Sequence, residues 1–137
     1  MKQSIIELKD GKYVAQVQAM KKDIDEPSAM APYLANNVII TCREGTYFLT
    51  LMIQEEEIVT GFQIQTNDNT FAPSIEQQVD DQQSVRYEIF QVEQLSTILP
   101  ARVQYKVNHE GNIFEGDEAL RLFVDLETIQ NVEDVEF

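Results

Sequence analysis

The sequence predicts an all-β protein: an immunoglobulin-like antiparallel β-sandwich of about eight strands with one short helix. Three observations carry that reading. Apolar and polar residues alternate with a period of two along nearly the whole chain, the pattern of strands that bury one face. Short β-rich runs are separated by turn signals at sandwich-like spacing. No long stretch repeats apolar residues at helical spacing. The cysteine–tryptophan–cysteine signature of true immunoglobulin domains is absent, because the chain has one cysteine and no tryptophan.

Taken in order, the first strand is KYVAQVQAM, in which Tyr13, Ala15, Val17 and Ala19 share one face. DEPSAMAPYL, residues 25–34, is the corner between the first and second strands. Ser28 or Asp25 can cap a helical turn there, and Pro32 limits its length, so the short helix is expected within residues 26–34. NNVIITCR and YFLTLMI flank EGT; two β-rich runs around a glycine-containing turn read as a hairpin. IVTGFQIQT is a further strand, and Gly61 in its middle points to a bulge or to a close approach by another group. Residues 67–83 are polar and turn-rich, and are expected to be irregular. SVRYEIFQV alternates again. EQLSTILPA reads as a connection, with Pro100 preventing a helix from continuing. ARVQYKVN and ALRLFVDL form a last hairpin across HEGNIFEGDE. The acidic ETIQNVEDVEF reads as a tail. The expected organisation is one sandwich domain over residues 1–126 and a tail over 127–137.

Composition narrows function. A chain of 137 residues with 43% hydrophobic content is one ordinary domain with a real core. Its net charge of −14 repels nucleic acid and anionic membranes. Acid is densest at Glu55, Glu56 and Glu57 and towards the C-terminus. No segment has the apolar length that crosses a bilayer. MKQSIIELKDGKY is too short and polar for a signal peptide, which fits an intracellular protein or a mature or excised domain with Met1 added. Cys42, the single cysteine, excludes an intrachain disulfide and a cysteine-based zinc site; within its apolar run it is expected to be a buried small hydrophobe. His109 is the only histidine, so no multi-histidine metal site exists. Glu110, Glu115, Asp117 and Glu118 match no EF-hand spacing. No metal site and no enzyme are expected, because no set of titratable groups converges.

The ordered series of features resembles the NEAT family, the near-iron-transporter domains of Gram-positive surface haem-uptake proteins. LKDGKY looks like the start of the family's first strand. DEPSAMAPYLANNVIITCREGTYFLTLMI looks like its short helix and next two strands, with the serine and tyrosine in the family's spacing. IVTGFQIQ is similar to the fourth strand, and VRYEIFQVEQLSTILPARVQYKVN to strands six and seven with their connection. GNIFEGDEALRLFVD occupies the place of the last hairpin. The resemblance covers roughly residues 8–126.

The resemblance implies a haem slot between the short helix and the last hairpin, on a protein located outside the cell or on its surface. Haem-binding members carry two tyrosines four residues apart at the start of the eighth strand. One ligates ferric iron as a phenolate, a hard oxygen anion suited to Fe(III), and the other hydrogen-bonds to it. Aligned without gaps, those positions fall on Gly116 and Leu120; with a shift, on Phe114 and Glu118. No tyrosine follows Tyr105. Met30, on the short helix, offers a soft thioether to haem iron, and His109 an imidazole. Lys21, Lys22 and Arg121 are the nearest cations for propionates. The ligand- or partner-binding residues implied are Ser28, Met30 and Tyr33 on the helix and Phe114, Gly116 and Leu120 on the hairpin.

Two classes of function follow. One is a protein-binding or architectural module without tyrosine-ligated haem, whose partner is a host haemoprotein or a bacterial surface protein and which needs no cofactor. The other is a haem carrier that uses Met30 or packing alone. Neither involves nucleic acid or membrane insertion. In the first, Met30 and Tyr33 fold back to plug the open end of the core; in the second, they form a lid.

Overall fold

The computed structural model describes residues 5–6, 8–28, 30–54, 58–65, 70–80, 82–83, 85–92 and 95–131. The acidic run at 55–57 and residues 132–137 of the expected tail lie outside the described residues. The strands are β1 (Ile5–Ile6), β2 (Gly11–Lys21), β3 (Leu34–Arg43), β4 (Thr46–Gln54), β5 (Val59–Gln65), β6 (Phe71–Pro73), β7 (Glu76–Asp80), β8 (Val85–Val92), β9 (Leu95–Ser96), β10 (Ile98–His109) and β11 (Asn112–Asn131). The one helical element among the described residues is a 3₁₀ turn, Ala31–Tyr33.

Nine strands form one antiparallel sheet in the order β6-β5-β10-β11-β2-β3-β4-β8-β7, and β1 pairs with β9 separately. The long sheet curls until β5, near one edge, packs against β8, near the other. Phe62 and Phe90 meet edge to face at 5.8 Å, and Arg86 Nη2 donates to the Val59 carbonyl at 2.8 Å. The sandwich expected from the sequence is thus one sheet folded over its own core. The alternation in β2 buries Ala15, Val17 and Ala19, as its pattern requires. β3 and β4 join through Glu44 and Gly45, both at positive φ (52° and 79°), the two-residue turn whose twist matches the strands. Gly61 pairs with Gln104 just where the β5–β10 register shifts, and the Gln104 amide occupies the space of a Cβ at that position.

Four sequence expectations change. Residues 67–83 contain β6 and β7, strands of three and five residues on the two sheet margins, where short edge strands are common. EQLSTILPA contains β9 and the start of β10. Pro100 stands inside β10 opposite Arg121, before the ladder to β5 begins at Ala101, at a margin that tolerates a missing N–H. HEGNIFEGDE is not a long connection: the strands run through it, His109 pairs with Asn112, and only Glu110 and Gly111 turn, at φ 53° and 84°. Finally, β11 continues past residue 126 to Asn131, where Gln130 and Asn131 pair with Val14 and Tyr13. The half-buried Leu126 and Ile129 hold this segment against the core.

Cys42 is buried, with Sγ 3.3 Å from the Leu8 carbonyl. Its thiol should react with a bulky reagent far more slowly in the native protein than in denaturant; equal rates would show that β3 is open there.

Candidate functional site

The corner after β2 is fastened from β11. Arg121 Nε donates to the Lys21 carbonyl at 2.9 Å, and Nη2 to the Ile24 carbonyl at 2.8 Å and Asp25 Oδ1 at 2.9 Å. Lys21 Nζ pairs with Glu26 at 3.0 Å. Two of the three cations considered for propionates therefore hold the loop, and Asp25 serves as the partner of Arg121 rather than as a cap. The Ser28 N–H donates to the Ala19 carbonyl at 2.9 Å. Ser28 Oγ accepts the Met30 N–H at 3.1 Å, a local serine turn that sets the direction of the next residues. Met30 is thereby turned inward.

Met30 and Leu34 are buried, and Tyr33 is half-buried against the core. They meet Ala19, Ile53, Val59, Phe62, Val103 and Leu120 around a void of about 10 Å³, room for about one water. Ser28, Met30, Tyr33 and Leu120 are thus gathered at one end of the core, and Met30 fills it.

The other two expected site residues lie elsewhere. Phe114 precedes Leu120 by six residues, roughly 20 Å along a strand, and is 57% exposed. The last ladder pair of β10 with β5 is Tyr105–Val59, followed by a single bond from the Lys106 N–H to the Ile58 carbonyl. The first pair of β11 with β2 is Leu120–Lys21. Between these limits, among the described residues, the two strands pair only with each other and form an arm beyond the sandwich. Gly116 sits on this arm opposite Tyr105. The Tyr105 ring lies over it, so that a Cβ at 116 would overlap the ring and its hydroxyl. A cross-strand aromatic thus shields the bare backbone of Gly116.

Tyr105 is the residue that sequence reasoning passed over. The two-residue turn at Glu110–Gly111 fixes the register and places Tyr105 against Gly116; with the ten-residue connection first assumed, no such pairing follows. Because cross-strand partners share a face, Val107, Tyr105, Phe114, Gly116 and Glu118 line the side of the arm that continues the buried row of Leu120, Leu122 and Val124. The arm carries the exposed ion pair Lys106–Glu115 at 3.8 Å, and at its base Asp117 pairs with Arg102 at 3.0 Å. Among the described residues, no group of three or more histidine, cysteine, aspartate or glutamate residues converges on a metal position.

A family model for the NEAT domain, an iron transport-associated domain, matches residues 6–122. The chain belongs to the NEAT family. Its fold is also that of two solved structures of IsdX2 NEAT5. One is a variant of that domain in complex with heme, with a TM-score of 0.77 and 23% identity, covering 86% of this chain and 97% of that one. The other is the domain from a B. anthracis hemophore in complex with heme, with a TM-score of 0.75 and 22% identity, covering 85% and 97%. No curated protein matches the chain.

β11 contains no tyrosine. Gly116 has no side chain, Leu120 is buried and apolar, and the Met30 thioether is enclosed in the core. His109 is exposed at the arm's turn, and Glu118 is an exposed carboxylate.

Proposed function

We propose that this NEAT domain is a binding module of a haem/iron-acquisition system at a Gram-positive cell surface, and that it engages a protein partner through the arm without tyrosine-ligated haem. The observation that carries the reading is the contrast between the filled void beneath the 3₁₀ turn and the apolar residues displayed on the arm. Ile113 and Phe114 are each 57% exposed, and as strand neighbours they point to opposite faces. Two large side chains that the core does not use are suited to act as anchors in a partner's pocket. The partner class is a host haemoprotein or another bacterial surface protein. Among the described residues no hydrogen bond joins a nucleophilic side chain to a histidine base, so nothing here argues for a catalytic role. No helix among the described residues is long and apolar enough to cross a membrane.

One observation favours a second reading, a haem carrier: the Tyr105 phenol stands on the same face as Gly116. A haemin titration separates the two. Under the first reading no tyrosinate-type spectrum develops. A stoichiometric complex with a shifted Soret band, retained in Met30→Ala and lost in Tyr105→Phe, replaces the first reading with the second. For the partner, immobilised haemoglobin and IsdX2 NEAT5 serve as probes. Binding to one of them should weaken by about thirtyfold, the effect of a 2 kcal/mol hot spot, in Ile113→Ser/Phe114→Ser. Binding to neither, or binding that the double variant leaves intact, overturns the proposal.

A further inference from the structure

Two interruptions of the sheet converge on one stretch of β2. On one side, β3 leaves β2 beyond the Gln16–Asn37 pair, where its register to β4 also shifts between Leu34 and Val38. On the other side, the register of β11 to β2 shifts between Asp125 and Gln130. Such irregularities open a ladder and re-aim side chains. The result is two neighbouring clefts of about 340 and 390 Å³ that share Gln16, each within the size range of small-molecule sites. Gln18, Asn36, Phe123 and Asp125 line the first; Asn37, Glu127, Thr128 and Gln130 line the second. They lie on the outer side of β2, since Gln16 and Gln18 alternate with the buried Val17 and Ala19.

The lining chemistry is selective. Gln16 pairs with Asp125, and Gln18 with Phe123, so these four side chains share one face. The side-chain amides of Gln16, Gln18, Asn36, Asn37 and Gln130 have no hydrogen-bond partner among the described residues. Each amide presents two donors and an acceptor, which match the adjacent hydroxyls of a sugar. Asp125 Oδ1 accepts the Glu127 N–H at 3.1 Å, and the second carboxylate oxygen remains to accept a hydroxyl. The half-buried Phe123 ring offers an apolar surface for the C–H face of a pyranose. No lysine or arginine lines either cleft, and a net charge of −14 repels anions. We propose that this double cleft binds a short neutral oligosaccharide, one sugar ring in each cleft. The first cleft also abuts the 3₁₀ turn through Ala31 and Leu34, and neither cleft includes a residue of the arm.

The test is a titration of the whole chain with chitotriose and with maltotriose, followed by ligand-observed NMR and calorimetry. At least one should bind saturably. Gln16→Ala/Gln18→Ala should weaken that binding by about tenfold or more with an unchanged thermal midpoint, as both positions are exposed and surface substitutions cost little. Ile113→Ser/Phe114→Ser should leave it unchanged. The proposal is overturned if neither sugar binds, if the glutamine variant binds as well as the wild type, or if the arm variant is the one that loses binding. Because the arm variant tests the protein-partner reading separately, either proposal can fail while the other stands.

Discussion

Glu88→Ala should lower stability by about 3–5 kcal/mol, the usual consequence of removing one partner from a buried ion pair. The Glu88 and Arg86 side chains are 1% and 8% exposed, with Arg86 Nε 2.9 Å from Glu88 Oε2. Glu88 Oε1 also accepts Ser74 Oγ at 2.9 Å and Gln77 Nε2 at 3.1 Å. Arg86 in turn donates to the Val59 carbonyl at 2.8 Å, so the pair links β8 to β5 where the curled sheet closes on itself. With alanine at 88, the guanidinium stays buried without its counter-charge, and Ser74 and Gln77 lose an acceptor. Arg86→Met/Glu88→Leu removes both charges together and should cost far less, because the desolvation penalty disappears with the attraction. Urea unfolding of both variants checks this. A loss under about 1 kcal/mol for Glu88→Ala would mean that water reaches the pair and that aromatic packing alone closes the sheet.

The same strand shows how far the sequence could be read. SVRYEIFQV is visibly a strand, but its alternation does not say which face is inside. Val85, Tyr87 and Ile89 look like an apolar face, yet Tyr87 and Ile89 are only half-buried, and Arg86, Glu88, Phe90 and Val92 form a buried row alongside the buried Val85. The choice depends on a partner more than twenty residues away, which periodicity within one strand does not contain. β2 was legible because its faces differ sharply in polarity. Residues 67–83 were not, because strands of three and five residues are too short to show a period. At the site, the short helical turn was legible from Ser28 and Pro32, whereas the sequence leaves open whether Met30 and Tyr33 plug the core or form a lid. The separation of Phe114 from that cluster was not legible: it follows from a two-residue turn that lengthens the last hairpin into an arm. The family's series of strands was visible along the chain, whereas the Tyr105–Gly116 pair became visible only through register.

Met30→Ala should cost about 2–5 kcal/mol, the range for truncating a buried methionine, leucine or isoleucine side chain. Met30 is 8% exposed, and the space beside it is only about 10 Å³. Removing its thioether arm leaves a cavity that its β-strand neighbours cannot fill, since the sheet ladders fix their positions. The loss combines the apolar contact with the cavity itself, and unfilled cavities cost about 24 cal/mol per Å³. Tyr33→Ala should cost less, because that ring is only half-buried. Phe114→Ala should stay within about 0.5 kcal/mol, as exposed positions do. This order distinguishes a plug from a lid. A lid is closed only by its own weak contacts, so truncating Met30 would change little in global unfolding and would loosen the 25–34 corner alone. A plug is part of the cooperative core, so the whole unfolding transition shifts. Equilibrium denaturation gives the first measure and amide exchange at Leu34 and Ile53 the second: if Met30→Ala accelerates exchange in the corner while the global transition stays in place, the corner opens on its own and the 3₁₀ turn is a lid.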